Sequence, residues 1–137
     1  MKAAEFYATA AAGRTVSVAP GGDVAFAQDG PSNGSGITRT GDATFQLAEA
    51  GTYLLQFNVY ATDPCPLVLT VDGEEIPYTI SGGVTAQCVG TSVITTQTAN
   101  ALVTVRNPAA NTTSLTMTAQ DGVVNPVSRL VITRLCS

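Results

Sequence analysis

Histidine and tryptophan are absent from this sequence, and charged residues make up only 12% of its 137 residues. Without histidine the chain lacks the commonest general base and the commonest metal ligand. A Ser-His-Asp triad and a Cys-His pair are therefore both excluded within one chain. We expect no catalytic residues and a function that is not enzymatic.

Basic residues are also scarce. The six lysine and arginine residues are scattered from Lys2 to Arg134, and the formal net charge is −4. No cluster of them could neutralise a phosphate backbone, so we expect no nucleic-acid partner. No apolar run approaches the ~20 residues that a membrane span requires, so we expect no membrane insertion.

What the sequence does contain is typical of a folded β-protein. Hydrophobic residues make up 45% of the chain, and a disordered segment would combine low hydrophobicity with many charges. No segment longer than about ten residues has apolar residues at helical spacing. Short β-rich runs instead alternate with turn residues about every 8–12 positions, which predicts a sandwich or barrel. So few charges also protect poorly against self-association, which makes a natural partner surface plausible.

Twelve strands are predicted from these runs. They lie at residues 5–8, 15–18, 24–27, 36–40, 43–47, 51–61, 67–71, 76–80, 86–95, 101–106, 114–119 and 128–136. Turns are expected at Pro20-Gly21-Gly22, Asp72-Gly73 and Asp121-Gly122, where the residues favour a fixed or positive φ. The segment DGPSNGSG at residues 29–36 predicts a long surface loop.

The strand at residues 51–61, GTYLLQFNVYA, is the most informative. Because side chains alternate along a strand, one face is wholly apolar and should lie in the core. That face carries Tyr53, Leu55, Phe57 and Val59. The opposite face carries Thr52, Leu54, Gln56, Asn58 and Tyr60. This second face is too apolar for water and too polar for a core, so it indicates either a subunit interface or a face covered by a loop.

Around this strand the sequence resembles a known family. The run TFQLAEAGTY at residues 44–53 is similar to the F-x-(V/L)-x-x-x-G-x-Y hairpin of complement-C1q and tumour-necrosis-factor (TNF) jelly rolls. Phe6-Tyr7, LTVDG at residues 69–73 and the closing RLVITRL at residues 129–135 resemble the C-terminal heads of collagen-like exosporium glycoproteins (BclA type) of spore-forming bacteria. The hairpin and the last strand are the most specific parts of this resemblance.

The resemblance implies an all-β fold, a two-sheet antiparallel jelly-roll sandwich of about ten strands that is C1q/TNF-like. It implies a single domain over residues 1–137, excised from a longer collagen-like protein. Such heads form homotrimers with the central strand against the threefold axis, which would place Leu54, Gln56 and Asn58 at the trimer interface. The chain contains no Gly-X-Y stretch of its own, so the collagen-like stalk is an expectation from the resemblance alone.

The three cysteines make an odd count. A disulfide between Cys65 and Cys88 would leave Cys136 free or available for a bond between chains. Three buried or partly buried thiols are the alternative. Their spacing matches no zinc pattern.

Calcium is the one cofactor to weigh, because some jelly-roll heads of the C1q type bind it. The candidate ligands are the loop residues Asp23, Asp29, Asp42, Asp63 and Asp121. They form no Asp-x-Asp-x-Asp loop, and loop aspartates are usually turn formers. We therefore expect no metal and no cofactor, with Ca²⁺ as the alternative.

Three further motifs have ordinary explanations. The side chains of Glu74-Glu75 would diverge in a strand, so this pair predicts the solvated flank of a turn. The glycine-rich residues 30–36 lack the lysine and following helix of a phosphate loop. Asn33-Gly34-Ser35 and Asn111-Thr112-Thr113 match the N-glycosylation pattern, but they are better interpreted as polar loop tips.

Three functions follow in order of preference. The first is a structural head that trimerises and caps a collagen-like filament on a bacterial spore or cell surface. The second is a receptor- or host-binding module on the same fold, such as an adhesin, a phage-fibre tip or a cytokine-like ligand. The third is a monomeric carbohydrate-binding jelly roll. The first two predict an extracellular location.

Overall fold

A computed structural model describes residues 2–10, 15–62, 66–84, 87–118 and 125–136. Over these ranges the regular elements are thirteen β-strands and one 3-10 turn, Pro77–Thr79. The strands are β1 (Lys2–Ala10), β2 (Thr15–Val18), β3 (Gln28–Asn33), β4 (Ile37–Arg39), β5 (Phe45–Leu47), β6 (Gly51–Tyr60), β7 (Val68–Val71), β8 (Glu74–Glu75), β9 (Gly83–Val84), β10 (Gln87–Thr96), β11 (Ala101–Arg106), β12 (Leu115–Thr118) and β13 (Asn125–Cys136). The all-β prediction is confirmed, with thirteen strands where twelve were predicted; β1 and β13 are longer than predicted, and several others are shorter.

The strands form two main antiparallel sheets. One sheet has six strands in the order β3-β1-β13-β6-β10-β9, and the other has five in the order β4-β5-β11-β7-β8. Strands β2 and β12 pair separately. The predicted two-sheet antiparallel sandwich is therefore confirmed, and β6 lies well inside the larger sheet, between β13 and β10.

The side chains at alternate positions of the strands point inward and fill the space between the sheets. The four predicted core side chains of β6 are at most 3% exposed. Three phenylalanine rings pack close by, with the ring centroid of Phe45 4.7 Å from that of Phe6 and 5.9 Å from that of Phe26. Tilted and edge-on aromatic pairs at these distances are favourable beyond the area that they bury.

The motif at residues 45–53 is not the hairpin that the resemblance implied, because β5 and β6 belong to different sheets and do not pair. The turn between them instead connects the two sheets of the sandwich. Phe45 and Leu47 are fully buried, and Tyr53 is 1% exposed. The hydroxyl of Tyr53 nevertheless reaches the turn, where it donates a hydrogen bond of 2.6 Å to the carbonyl oxygen of Glu49. The tyrosine thus combines core packing with a tie between the turn and the strand.

Two predictions near the N-terminal third are wrong. Residues 24–27 form no strand, although Val24 and Phe26 are fully buried. Their amides donate to the carbonyls of Val105 and Asp42 as single bonds rather than a ladder. Much of the predicted loop at residues 29–36 is instead in β3, which pairs with β1 at the sheet edge. An edge strand tolerates the proline and glycine of this segment because one side of its backbone needs no partner.

The predicted strand at residues 76–80 is also wrong, because the chain forms the 3-10 turn Pro77–Thr79 there. Proline has no amide hydrogen to give to a strand ladder. The Oγ1 of Thr79 accepts from the Leu69 amide at 2.9 Å and so holds the turn against β7. The turn predicted at Asp72-Gly73 is confirmed by φ values of 51° and 86°. The turn predicted at Asp121-Gly122 lies outside the described residues.

We predict that Gly90→Ala destabilises the sandwich. A Cβ at this position would lie 2.3 Å from Cζ of Phe57 and 2.6 Å from Oγ of Ser81. Overpacking of this kind costs about 1–3 kcal/mol, which urea denaturation would measure as a lower free energy of unfolding. Gly82→Ala is the matched control, since nothing lies within 4 Å of the Cβ it would gain. Equal stabilities of the two variants would contradict the packing argument.

A second prediction concerns Tyr53. Burial raises the pKa of its phenol above the ordinary value of 10.0, while the charge of Arg134 opposes the shift. A group whose pKa is higher in the folded than in the unfolded protein stabilises the fold at pH below the unfolded pKa. That contribution is lost as pH rises through the folded pKa. Tyr53→Phe removes the hydrogen bond to Glu49, so its free energy of unfolding should be lower than that of wild type by about 1 kcal/mol near neutral pH. This difference in the free energy of unfolding should shrink as pH rises above the ordinary pKa of tyrosine, because the wild-type protein then loses the contribution of its phenol.

Urea denaturation of both proteins at about pH 8 and about pH 11 measures this change. The remaining tyrosines are common to both proteins, so their titration cancels in the comparison. A stability difference that is the same at both pH values would contradict the assignment.

Candidate functional site

The outer side of the six-stranded sheet carries the residues that the sequence singled out. Strand registers align its outward side chains in three rows that run across β1, β13, β6 and β10. The rows are Ala3–Thr133–Leu54–Val93, Glu5–Val131–Gln56–Thr91 and Tyr7–Arg129–Asn58–Val89. We call these side chains the outward face. The three predicted interface residues occupy one row each, at the centre.

The chemistry of the outward face is mostly apolar or neutral. Val89 is 52% exposed and Val93 is 47% exposed, and Leu54 lies half-buried beside Val93. The charged members of the three rows are Glu5 and Arg129. Depletion of charge with retention of apolar and neutral polar groups is typical of the core of a protein–protein interface.

Within the described ranges, no loop covers the outward face, since Gln56, Val89 and Thr91 are exposed. The other sheet differs. On β7, Val68 and Thr70 point away from the core and are still only 2% and 0% exposed. The hydroxyl of Thr70 is hydrogen-bonded to that of Thr104, which also bonds to Asp23. The five-stranded sheet is therefore partly covered by the chain itself, whereas the outward face is open.

The apolar surface continues past the edge of β10. Tyr78 is 68% exposed and Ile80 is 54% exposed. Tyr78 donates from its hydroxyl to the carbonyl oxygen of Val93 at 2.7 Å, which holds the ring beside the outward face. This extension was not predicted from the sequence, because the pattern at residues 76–80 favoured a strand.

A recess of about 260 Å³ lies in the outward face. Gln56 and Asn58 line it, together with Glu5, Val89 and Arg129. The Oδ1 atom of Asn58 is buried and accepts no hydrogen bond within the described chain. A buried acceptor without a donor is costly, so this recess favours an occupant that brings one.

Of the three cysteines, the described ranges include Cys88 and Cys136. Cys88 is 1% exposed on β10, and its sulfur lies 3.6 Å from the carbonyl oxygen of Ser81. Cys65 lies outside the described residues. Cys136 lies at the end of β13, opposite Thr52. The Cys65–Cys88 pair stays a prediction.

Three of the five candidate calcium ligands lie in the described ranges, and each faces an arginine. Asp23 is 2.9 Å from Nε of Arg106, Asp29 is 3.0 Å from Nε of Arg39, and Asp42 is 3.9 Å from Nη1 of Arg39. Asp63 and Asp121 lie outside the described residues. Among the residues that the structure describes, no cluster of three or more acidic or cysteine side chains could hold a metal ion.

Glu74 and Glu75 line a cleft of about 490 Å³ together with Asp72, Ile76 and Pro77. Glu74 is exposed, as expected for the flank of a turn. Glu75 instead accepts a hydrogen bond of 2.9 Å from the amide of Ala109 and so ties β8 to the loop that contains Ala109. The two carboxylates therefore make different contacts.

No helix within the described residues has the length and hydropathy needed to cross a membrane. No protein-family model matches the sequence, and no curated protein matches it.

Solved structures do match this fold. Murine APRIL, crystallised at pH 8.0, has a TM-score of 0.66 at 18% identity, with 98% of each chain covered. The Eiger TNF of S. frugiperda has a TM-score of 0.72 at 17% identity, covering 98% of this chain and 92% of that one. Pika GITRL has a TM-score of 0.57 at 11% identity, covering 100% and 99%. The chain has a TNF-like jelly-roll fold. At these identities the likeness shows the fold alone.

Proposed function

We propose that this chain is a non-enzymatic head domain that forms a homotrimer through its outward face. The observation that carries the proposal is the open, nearly uncharged face centred on Leu54, Gln56 and Asn58, with the exposed side chains of Val89 and Val93 beside them. A contiguous apolar surface of this kind marks an interaction site. The TNF-like fold favours a second copy as the partner, because the family that the sequence resembles assembles as trimers.

The positions of the chain ends fit a head on a stalk. Lys2 of β1 lies opposite Arg134 of β13, and Cys136 lies opposite Thr52 near the start of β6. Both described ends of the chain therefore lie at one end of the six-stranded sheet. In a trimer with β6 along the axis, any segments that precede residue 2 would leave from the same end, and the opposite end would form the outermost contact surface.

The context we favour is the tip of a collagen-like filament on a bacterial spore or cell surface, in an extracellular location. Its support is the resemblance of Phe6-Tyr7, residues 69–73 and the last strand to exosporium heads. A receptor-binding ligand is the second candidate, because APRIL, GITRL and Eiger are TNF-family ligands of the same fold. The gene sequence upstream distinguishes the two, since Gly-X-Y repeats would support the filament.

The proposal includes no catalytic step and no bound cofactor. The described candidates Asp23, Asp29 and Asp42 each lie within 4 Å of an arginine, which reduces their availability to a cation. Calcium at the remaining loop aspartates is the alternative.

The first measurement is the solution mass by light scattering during gel filtration. We predict a mass close to three times 14.0 kDa, unchanged by reductant. A trimer that dissociates in reductant would indicate a disulfide between chains. A monomer at micromolar concentration would overturn the trimeric head and favour the monomeric carbohydrate-binding module.

Leu54→Asp tests the position of the interface. It would place three carboxylates close together in a buried apolar contact, and burying charges without partners is strongly unfavourable. We predict a folded monomer by light scattering and circular dichroism. Leu102→Asp is the matched control, because Leu102 is 38% exposed on β11 of the other sheet. A Leu54→Asp protein that remains fully trimeric would exclude this face as the interface.

A further inference from the structure

Charge on the outward face is limited to one acid and one base. Glu5 lies on β1 opposite Val131, and Arg129 lies on β13 opposite Tyr7 and Asn58. They occupy neighbouring rows on adjacent strands, which makes them a diagonal pair. Side chains at such positions are roughly 7–8 Å apart at their Cα atoms.

Arg129 differs from the other basic residues that the structure describes. Lys2, Arg39, Arg106 and Arg134 each form an ion pair within the chain. Arg129 is exposed and Glu5 is half-buried, and neither forms an ion pair with any described residue. Both charges on the outward face therefore lack an ion-pair partner within the described chain.

The recess beside these residues contains a third polar group without a partner. Asn58 Oδ1 is buried in it without a donor. A guanidinium has five N–H donors in a fixed planar arrangement, which is enough to bind a carboxylate and one further acceptor. An arginine entering this recess would therefore satisfy both Glu5 and Asn58.

We propose that Arg129 of one protomer enters the recess of the next, where it pairs with Glu5 and donates to Asn58. Repeated around a threefold axis, this contact forms a ring of three ion pairs. This inference rests on the proposed trimer. It needs a head-to-tail contact, in which different residues of the two copies meet, and a closed ring of such contacts is a cyclic oligomer.

The ring would fix how the protomers align at an interface that is otherwise uncharged. The remaining side chains of the outward face are uncharged and could pack in several ways. Any arrangement that buries Glu5 or Arg129 without a partner is disfavoured by the cost of desolvating a lone charge. A second copy fits better than a small zwitterion, because a ligand confined to the recess would leave Leu54 and Val93 uncovered.

Charge reversal tests the pair. We predict that Glu5→Arg and Arg129→Glu each raise the concentration at which the trimer half-dissociates by about tenfold or more. The double variant should return to within about threefold of wild type, because it restores every pair with the charges exchanged. Glu74→Arg is the control for net charge, since Glu74 is exposed on β8 of the other sheet and should leave assembly unchanged.

Light scattering over a dilution series gives the oligomeric state, and circular dichroism confirms that each variant is folded. Single variants that assemble like wild type would overturn the ion-pair ring while leaving the trimer itself in place. A double variant as weak as the singles would show that the charges matter but do not pair with each other. A wild-type monomer would instead refute the proposed function, and the ring with it.

Discussion

Every second side chain of β6 must point away from the sandwich core, and the rest of the molecule depends on this alternation. The inward set packs between the two sheets and is almost fully buried. The outward set, centred on Leu54, Gln56 and Asn58, lies between strands whose outward side chains are mainly valine and threonine. Because β6 is an inner strand, its neighbours extend the same chemistry into a broad face. That face has enough apolar surface to favour a partner and enough polar groups to orient it.

The two sheets complete their outer surfaces in different ways. The five-stranded sheet uses its own chain, through the contacts of Thr70, Thr104 and Asp23 and the tie between Glu75 and Ala109. The six-stranded sheet has no such cover in the described ranges. If a second copy covers it, folding and assembly become linked, because burial of the outward face adds to the stability of each protomer. Stability would then depend on protein concentration.

Most of the described basic residues serve the rims of the sandwich. Lys2 and Arg134 both contact Glu49 at the β5–β6 turn, and Arg39 contacts Asp29 near the sheet edge. Ion pairs as exposed as these contribute little free energy, so their effect is to position loops. With 12% charged residues in the whole chain, this use of charge at the rims leaves the face between them nearly neutral. The pair of Glu5 and Arg129 is the exception, and its place inside that face is what makes it informative.

The sequence by itself determined the all-β class, the core side of β6 and the outward position of Leu54, Gln56 and Asn58. These properties follow from the two-residue period of a strand, which is local. It failed at residues 24–27, 29–36 and 76–80, where the backbone takes its form from what lies alongside, such as β1 beside β3. It also missed Glu5 and Arg129. They lie near opposite ends of the chain, and only the pairing of β1 with β13 brings them to one face. Tertiary structure decided that neighbourhood, because strand pairing across the whole chain leaves no periodic trace in the sequence.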